Sequence, residues 1–234
     1  MTIELKSDHL HIWYANIGPQ QPSPDSLEKI LTHDERDRAA RFHFNIHRVR
    51  YVYTHACLRL LLGSYLQVAP ETICFRFGPF GKPYIAAEDN QLISPDRKLV
   101  EFNISHSADL ALLGFSLGAA IGIDTEFINR QLKIHEVAPV VFTPGELAYM
   151  YSASPAVQFD RFFDLWSRKE AYAKALGMGL QIPFKELDIG QQSIVNGLRI
   201  YSFEPVPGYI AAVVAPPSVH SIQYFEFKHS FWPG

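Results

Sequence analysis

Cysteine is scarce: the 234 residues include two, Cys57 and Cys74. They fall in different predicted elements, so there is no disulfide framework, and the expected setting is reducing and cytoplasmic with free thiols. No Cys-x-x-Cys or His-Glu-x-x-His occurs, which leaves zinc-site readings without support. No apolar run is long enough to span a bilayer. The start, "MTIELKSDHLHIWYANIG", lacks a basic stretch followed by an apolar one, so no signal peptide is expected. Positive charge is not in excess either. The net charge of −3 argues against an electrostatic nucleic-acid binder.

Apolar residues are plentiful. At 47% hydrophobic and 13% aromatic the chain can bury one large core or two small ones. Strands and helices alternate. "HLHIWYANI" reads as a first strand. Thr32 and Glu35 have capping-box spacing and open a helix. "HRVRYVYTHACLRLLLGSYL" is a long amphipathic helix ending at Gly63 or just after it. "ETICFRF" is a strand, "GPFGKPY" a turn and "LVEFNIS" another strand. "DLALLGFS" and "AAIGIDTEF" follow as apolar strands across a hairpin. Thr143, Pro144 and Glu146 supply a cap, a first-position proline and a capping-box acid. "QFDRFFDLWSRKEAYAKALG" is the second long helix. "ELDIG", "GLRIYSFEP", "YIAAVVA" and "SIQYFEFKH" read as strands.

A repeat lies in this order. Leu62, Gly63, Leu66 and Gln67 recur as Leu176, Gly177, Leu180 and Gln181, each set at a helix end before a strand-rich stretch. The expectation is an α+β fold of two similar halves, 1–117 and 118–234. Each is a small antiparallel sheet packed on a long helix, with a ligand cleft between them.

Four stretches carry candidate chemistry. In "IGIDTE" (121–126), period two puts Ile121, Ile123 and Thr125 on one face and Gly122, Asp124 and Glu126 on the other. Carboxylates at i and i+2 sit roughly 6–7 Å apart, and at an effective dielectric of 20 they repel by about 2–3 kcal/mol. A solvated edge would dilute that repulsion; a hard divalent cation would reverse it. In "WSRKEAYAKALGMG", Glu170 and Lys174 are one helical turn apart, as a surface ion pair would be, but Trp166 sits on the same side. Arginines 36, 38, 41, 48, 50 and 59 accompany a single acid, Asp37, over that segment. That is either a solvated basic face or a phosphate grip, and Lys82 and Pro83 in the glycine turn could add to the latter. In "FNISHS", Ser105 and His106 diverge on a strand. They are therefore not a nucleophile–base pair, and fit two polar donors at a strand end or the polar residues of a satisfied turn.

"NISHS", "GIDTE" and "WSRKEAYAK" with "GMG", preceded by "RAARFHFNIHRVRY" and "FGKPY", together resemble the 4′-phosphopantetheinyl transferases of the Sfp type. The resemblance covers nearly the whole chain and is weakest over residues 1–30 and after about 190. It implies transfer of the phosphopantetheine arm of coenzyme A to a serine of an apo acyl or peptidyl carrier protein. The family's Mg²⁺ ligands fall on Asp124, Glu126 and Glu170. Lys174 falls at the leaving side of the pyrophosphate. Arg41, Arg48, Arg50, Ser105 and His106 fall at the 3′-phosphate, and Lys82 and Pro83 near the adenine or phosphates. Glu170 is the favoured proton acceptor, with Glu146 the other candidate, although a capping role already accounts for Glu146. A monomer is expected, because two fused halves complete the cleft. The rival readings are a magnesium-dependent hydrolase of nucleotide pyrophosphates and a carrier-protein binder without chemistry.

Overall fold

The structure, a computed structural model, describes residues 4–19, 23–86 and 99–232, with the backbone alone at Leu180. The Leu66–Leu180 match of the repeat therefore lies partly outside the described residues. In chain order the elements are β1 (His9–Asn16), α1 (Pro24–Leu27), α2 (His33–Ala40), α3 (Asn45–Leu66), β2 (Phe75–Phe77), β3 (Pro83–Ile85), β4 (Val100–Ser107), β5 (Leu110–Leu117), β6 (Gly122–Phe127), α4 (Ile134–Val141), α5 (Pro144–Tyr151), α6 (Pro155–Leu176), β7 (Ile194–Val195), β8 (Leu198–Phe203), β9 (Tyr209–Ala215) and β10 (Ser221–Glu226). No described helix is long and apolar enough to cross a membrane.

Strand periodicity builds four layers. In β5 every residue is buried. Its Ala111, Leu113 and Phe115 pack with Trp13 of β1 under α3, while Leu110 and Leu112 face the opposite way. There they meet Leu10 and Ile12 of β1, Ile121 and Ile123 beside and within β6, and Val213 of β9. The alternate residues of β9, Ala212 and Val214, pack on Ala171, Tyr172 and Ala175 of α6. The order is α3, sheet β10-β1-β5-β4, sheet β6-β9-β8-β7, α6. Both sheets are apolar on two faces, which is why these strands read as apolar runs. Each half thus sets a sheet on a long helix, in keeping with the α+β reading.

Both capping boxes form as predicted, Thr32 with Glu35 and Thr143 with Glu146. Each acid then reaches a cation on the long helix of its half. Glu35 accepts from Arg59 Nε at 2.6 Å, and Glu146 lies 2.9 Å from Lys169 Nζ. Arg59 also donates to the carbonyls of Pro70 and Ile73, and Lys169 to those of Phe184 and Leu187. The internal repeat therefore extends to a buried acid–base post in each half.

Several local expectations are corrected, although α3 does end just after Gly63, at Leu66 with the left-handed Gln67 as its cap, whereas Gly177 is itself the cap of α6. Gly63 is glycine because a Cβ there would lie 2.8 Å from the Val68 carbonyl. "ETICFRF" is a 3-10 turn, Pro70–Thr72, before a strand of three residues, and "ELDIG" is not a strand. β5 and β6 do not form a hairpin, since β6 leaves for the second sheet and pairs with β9. β10 returns to the first sheet and pairs in parallel with β1. The last strand thus crosses the division drawn at 117/118, and one pair in the first sheet is parallel.

Gly122 is the tightest point. A Cβ on it would fall 1.9 Å from the Ala171 carbonyl oxygen and 2.4 Å from the Ala175 nitrogen. The missing side chain makes room for the backbone of α6, and so lets the helix lie directly on β6. Gly122→Ala is expected to destabilise the fold by about 1–3 kcal/mol through overpacking, read as a lower denaturant midpoint. Unchanged stability would mean that α6 can retreat without loss.

Candidate active site

With α6 seated on Gly122, the polar face of β6 meets the helix. Asp124 is buried, and its Oδ1 accepts from Ser105 Oγ at 2.9 Å and from Lys174 Nζ at 2.7 Å. Its Oδ2 is buried without a hydrogen-bond partner. Lys174 also donates to Ser105 Oγ at 2.9 Å. The ammonium therefore pairs with Asp124 across the seam between β6 and α6. Pairing along the helix with Glu170, as in the surface ion pair, is not what holds it.

Glu126 lies two residues on, held by the Ser107 hydroxyl at 2.8 Å. Burial first, and then the charge of Asp124, push its carboxyl up to about 7, against hydrogen bonds from Ser107 and Trp166. Glu170 is raised for the same two reasons, burial and Asp124. Two half-buried carboxyls whose charge Asp124 disfavours, together with Asp124 itself, are a donor set in want of a cation. Among the described residues, however, no three His, Cys, Asp or Glu side chains form a ready metal cage. The donor chemistry fits a hard cation, through the free Asp124 oxygen above all.

The other predicted residues separate. β4 turns His106 away from Ser105, into a cleft of about 1030 Å³ lined also by Arg38, Arg41, His47, His55, Tyr51 and Pro83. Burial lowers the basicity of His106, and the charges of Lys174, His55, Arg50 and His47 lower it further. The cleft carries both signs of charge, with Asp34, Glu35 and Asp37 in its lining beside the arginines, and Lys174 at the seam is close enough to act on His106. Arg41 and Pro83 both line it. Arg48 instead donates to Asp25 and Glu28 beside α1. Arg50 donates to Asp109 at 2.8 Å. Lys82 turns from the cleft and donates to the carbonyls of Ile121 at 2.9 Å and Ala175 at 3.4 Å, where the end of α6 favours a cation.

Ser105 has no capacity left for a phosphate. Its one proton goes to Asp124, while its lone pairs accept from Lys174 and, at 3.3 Å, from the Thr125 amide. Glu146 is likewise committed, to Lys169 and to the amides of Ile189 and Gly190, which removes it as a proton acceptor. Ser107 and Asp109 were missed in the sequence. The signal for Ser107 was there, because Asn103, Ser105 and Ser107 alternate on one face of a strand. One further pattern proves empty: residues 114–118 have Gly-x-Ser-x-Gly spacing, but Ser116 is buried within β5 and donates to the Ala119 carbonyl.

Comparison with known proteins bears on this arrangement. The 4′-phosphopantetheinyl transferase superfamily matches residues 120–207, and a family of 4′-phosphopantetheinyl transferase N-terminal regions matches 18–116. The 4′-phosphopantetheinyl transferase HetI of Nostoc sp. (strain PCC 7120) is 34% identical, over 76% of this chain and 73% of that one. The chain belongs to the 4′-phosphopantetheinyl transferases. The match to the 4′-phosphopantetheinyl transferase Sfp of Bacillus subtilis (strain 168) is 27% identical and covers 91% of this transferase and 96% of that one. A crystal structure of a holo-(acyl-carrier-protein) synthase from Bacillus anthracis str. Ames in complex with CoA (3′,5′-ADP) aligns with this transferase at 18% identity and a TM-score of 0.35, covering 42% of this chain and 95% of that one.

Proposed function

We propose that this transferase moves the 4′-phosphopantetheine arm of coenzyme A to a serine of an apo acyl or peptidyl carrier protein, releasing adenosine 3′,5′-bisphosphate. The observation that carries this reading is Asp124, a buried carboxylate with one oxygen held by Ser105 and Lys174 and the other without a partner. Carboxylates alone would repel an anionic cofactor, so the site makes sense with Mg²⁺, held by Asp124, Glu126 and Glu170. When bound, the ion would neutralise and orient the cofactor's pyrophosphate.

The chain's own residues do the rest. The cleft of Arg41, His47, His55 and His106 offers cationic and hydrogen-bonding groups to the 3′-phosphate end, with Pro83 at its edge toward the adenine. Lys174 supplies positive charge where the pyrophosphate reaches the seam. Glu170, raised by burial and by Asp124, is suited to take the proton of the carrier serine. As the serine oxygen bonds to the phosphorus bearing pantetheine, the bridging P–O bond breaks and its electron pair leaves with adenosine bisphosphate. Both sides of the seam come from one chain, which supports a monomeric enzyme, and the free thiols Cys57 and Cys74 suit the cytoplasm.

The test is to incubate the chain with coenzyme A, apo carriers of fatty-acid, polyketide and peptide-synthetase type, and Mg²⁺, and to weigh the carriers intact. A carrier should gain one phosphopantetheine, and a chelator should abolish the gain. Release of adenosine bisphosphate with no carrier present would instead mark a hydrolase. Within this reading Lys174→Ala is expected to lower kcat about a hundredfold, as loss of a charge-stabilising group does. Loss of a mere surface partner costs under about 1 kcal/mol, so unchanged turnover would remove Lys174 from the chemistry.

A further inference from the structure

β6 and β4 each end a sheet, and the two edges face one another with no backbone pairing between them. The amides of β6 that point away from β9 are nevertheless satisfied. Ile123 N–H donates to Asn103 Oδ1 at 2.8 Å, Thr125 N–H to Ser105 Oγ at 3.3 Å, and Phe127 N–H to Ser107 Oγ at 3.1 Å. Three side chains at alternate positions of β4 thus replace the carbonyls that a neighbouring strand would supply. Period two fixes this, since the β4 positions opposite Gly114, Leu112 and Leu110 all face the second sheet.

Two rungs do more than close an edge. A serine hydroxyl that accepts an amide proton still has its own proton to give. Ser105 gives it to Asp124 Oδ1 and Ser107 gives it to Glu126 Oε2. Among the described residues, no carboxylate is hydrogen-bonded to Asn103, whose Oδ1 takes the Ile123 amide. We infer that Ser107, and Ser105 beside it, are positioning residues through which the first sheet fixes the orientation of the Asp124 and Glu126 carboxylates on the second. The inference rests on the cation reading of those acids.

Groups that orient metal ligands typically change cation affinity about ten- to hundredfold when removed. Two readouts on the full-length protein test the assignment, together with thermal melting of each variant to confirm that it folds. In amide hydrogen exchange by NMR, Ser107→Ala should expose the Phe127 amide at least about tenfold while leaving Ile123 protected, and Asn103→Ala should do the reverse, since protection reports each amide's own partner. In transfer assays, Ser107→Ala should raise the Mg²⁺ concentration for half-maximal rate about tenfold and leave KM for coenzyme A within about twofold. Ser107→Thr, which keeps the hydroxyl, should restore both. Asn103→Ala loosens the same seam and should not move the Mg²⁺ requirement. If Asn103→Ala raises it as much as Ser107→Ala does, the effect belongs to the seam and the positioning role is overturned. Unchanged Phe127 exchange in Ser107→Ala overturns the ladder itself. A wild-type enzyme indifferent to a chelator overturns the cation reading, and is recognised before any variant is made.

Discussion

Asp124→Asn is expected to abolish nearly all transfer, with kcat lowered about a thousandfold or more and excess Mg²⁺ giving no rescue. The substitution keeps volume and shape, so the buried seam need not reopen. It removes the one charge that meets Ser105, Lys174 and an oxygen without a protein partner. A loss of that size corresponds to about 4 kcal/mol of transition-state stabilisation. A second consequence follows from the same charge. Asp124 contributes to the raised carboxyls of both Glu126 and Glu170, although burial contributes more. In the variant the Glu126 titration should move down from about 7, part of the way to the ordinary range, and NMR of the side-chain carbonyl would show it. Turnover near that of the wild type would remove Asp124 from the site. An unmoved Glu126 would mean the two carboxylates do not share a field.

Glu35→Gln is expected to have the largest effect on stability. Glu35 holds Arg59, whose side chain is 1% exposed, and His55 on a second oxygen at 3.1 Å. Removing one partner of a buried pair leaves the other charge uncompensated, at about 3–5 kcal/mol. For a chain of this size each kcal/mol lowers Tm by roughly 2–4 °C. The pH dependence gives an independent check. Burial alone would raise the Glu35 carboxyl, but its hydrogen bonds to His55 and Arg59, with the charge of Arg59, outweigh burial and bring it down from 4.5 to about 2. Its stabilisation is therefore complete above pH 4.5 and is lost as pH falls toward 2, a change of about 3 kcal/mol by linkage. The variant should lack that part of the acid limb. Parallel acid limbs in the two proteins would show that the Glu35 carboxyl is not depressed in the folded protein.

Some of this was legible from residue order alone. Both capping boxes were, because their contacts are local, and so was the sidedness of "IGIDTE", because a strand alternates whatever it packs against. The purpose of Gly122 was not legible. Sequence shows an absent side chain, but only the fold shows that a helix backbone fills the space and not an ion. Lys174 offered Glu170 one turn away as the obvious partner, and the structure gave it Asp124, fifty positions distant in the chain. The same limit applies to the arginines. Arg48, Arg50 and Arg59 look alike in a basic run, yet each is committed to an acid elsewhere, and only Arg59 of these three lines the cleft, beside Arg38 and Arg41. Spacing identifies which faces are polar. It does not identify which distant element will meet them.

The parallel pairing of β10 with β1 sets the order in which the protein can be finished. β1 leaves the ribosome some two hundred residues before β10, and its outer edge has no partner until β10 has also emerged. At about 5–20 residues per second that interval is of order ten seconds or more. Throughout it, an apolar strand edge stands open to pairing with other chains. The two halves are therefore not separable translation products. A nascent chain stopped before residue 221 should be held by chaperones or aggregate, even though its α3, β4 and β5 are already complete.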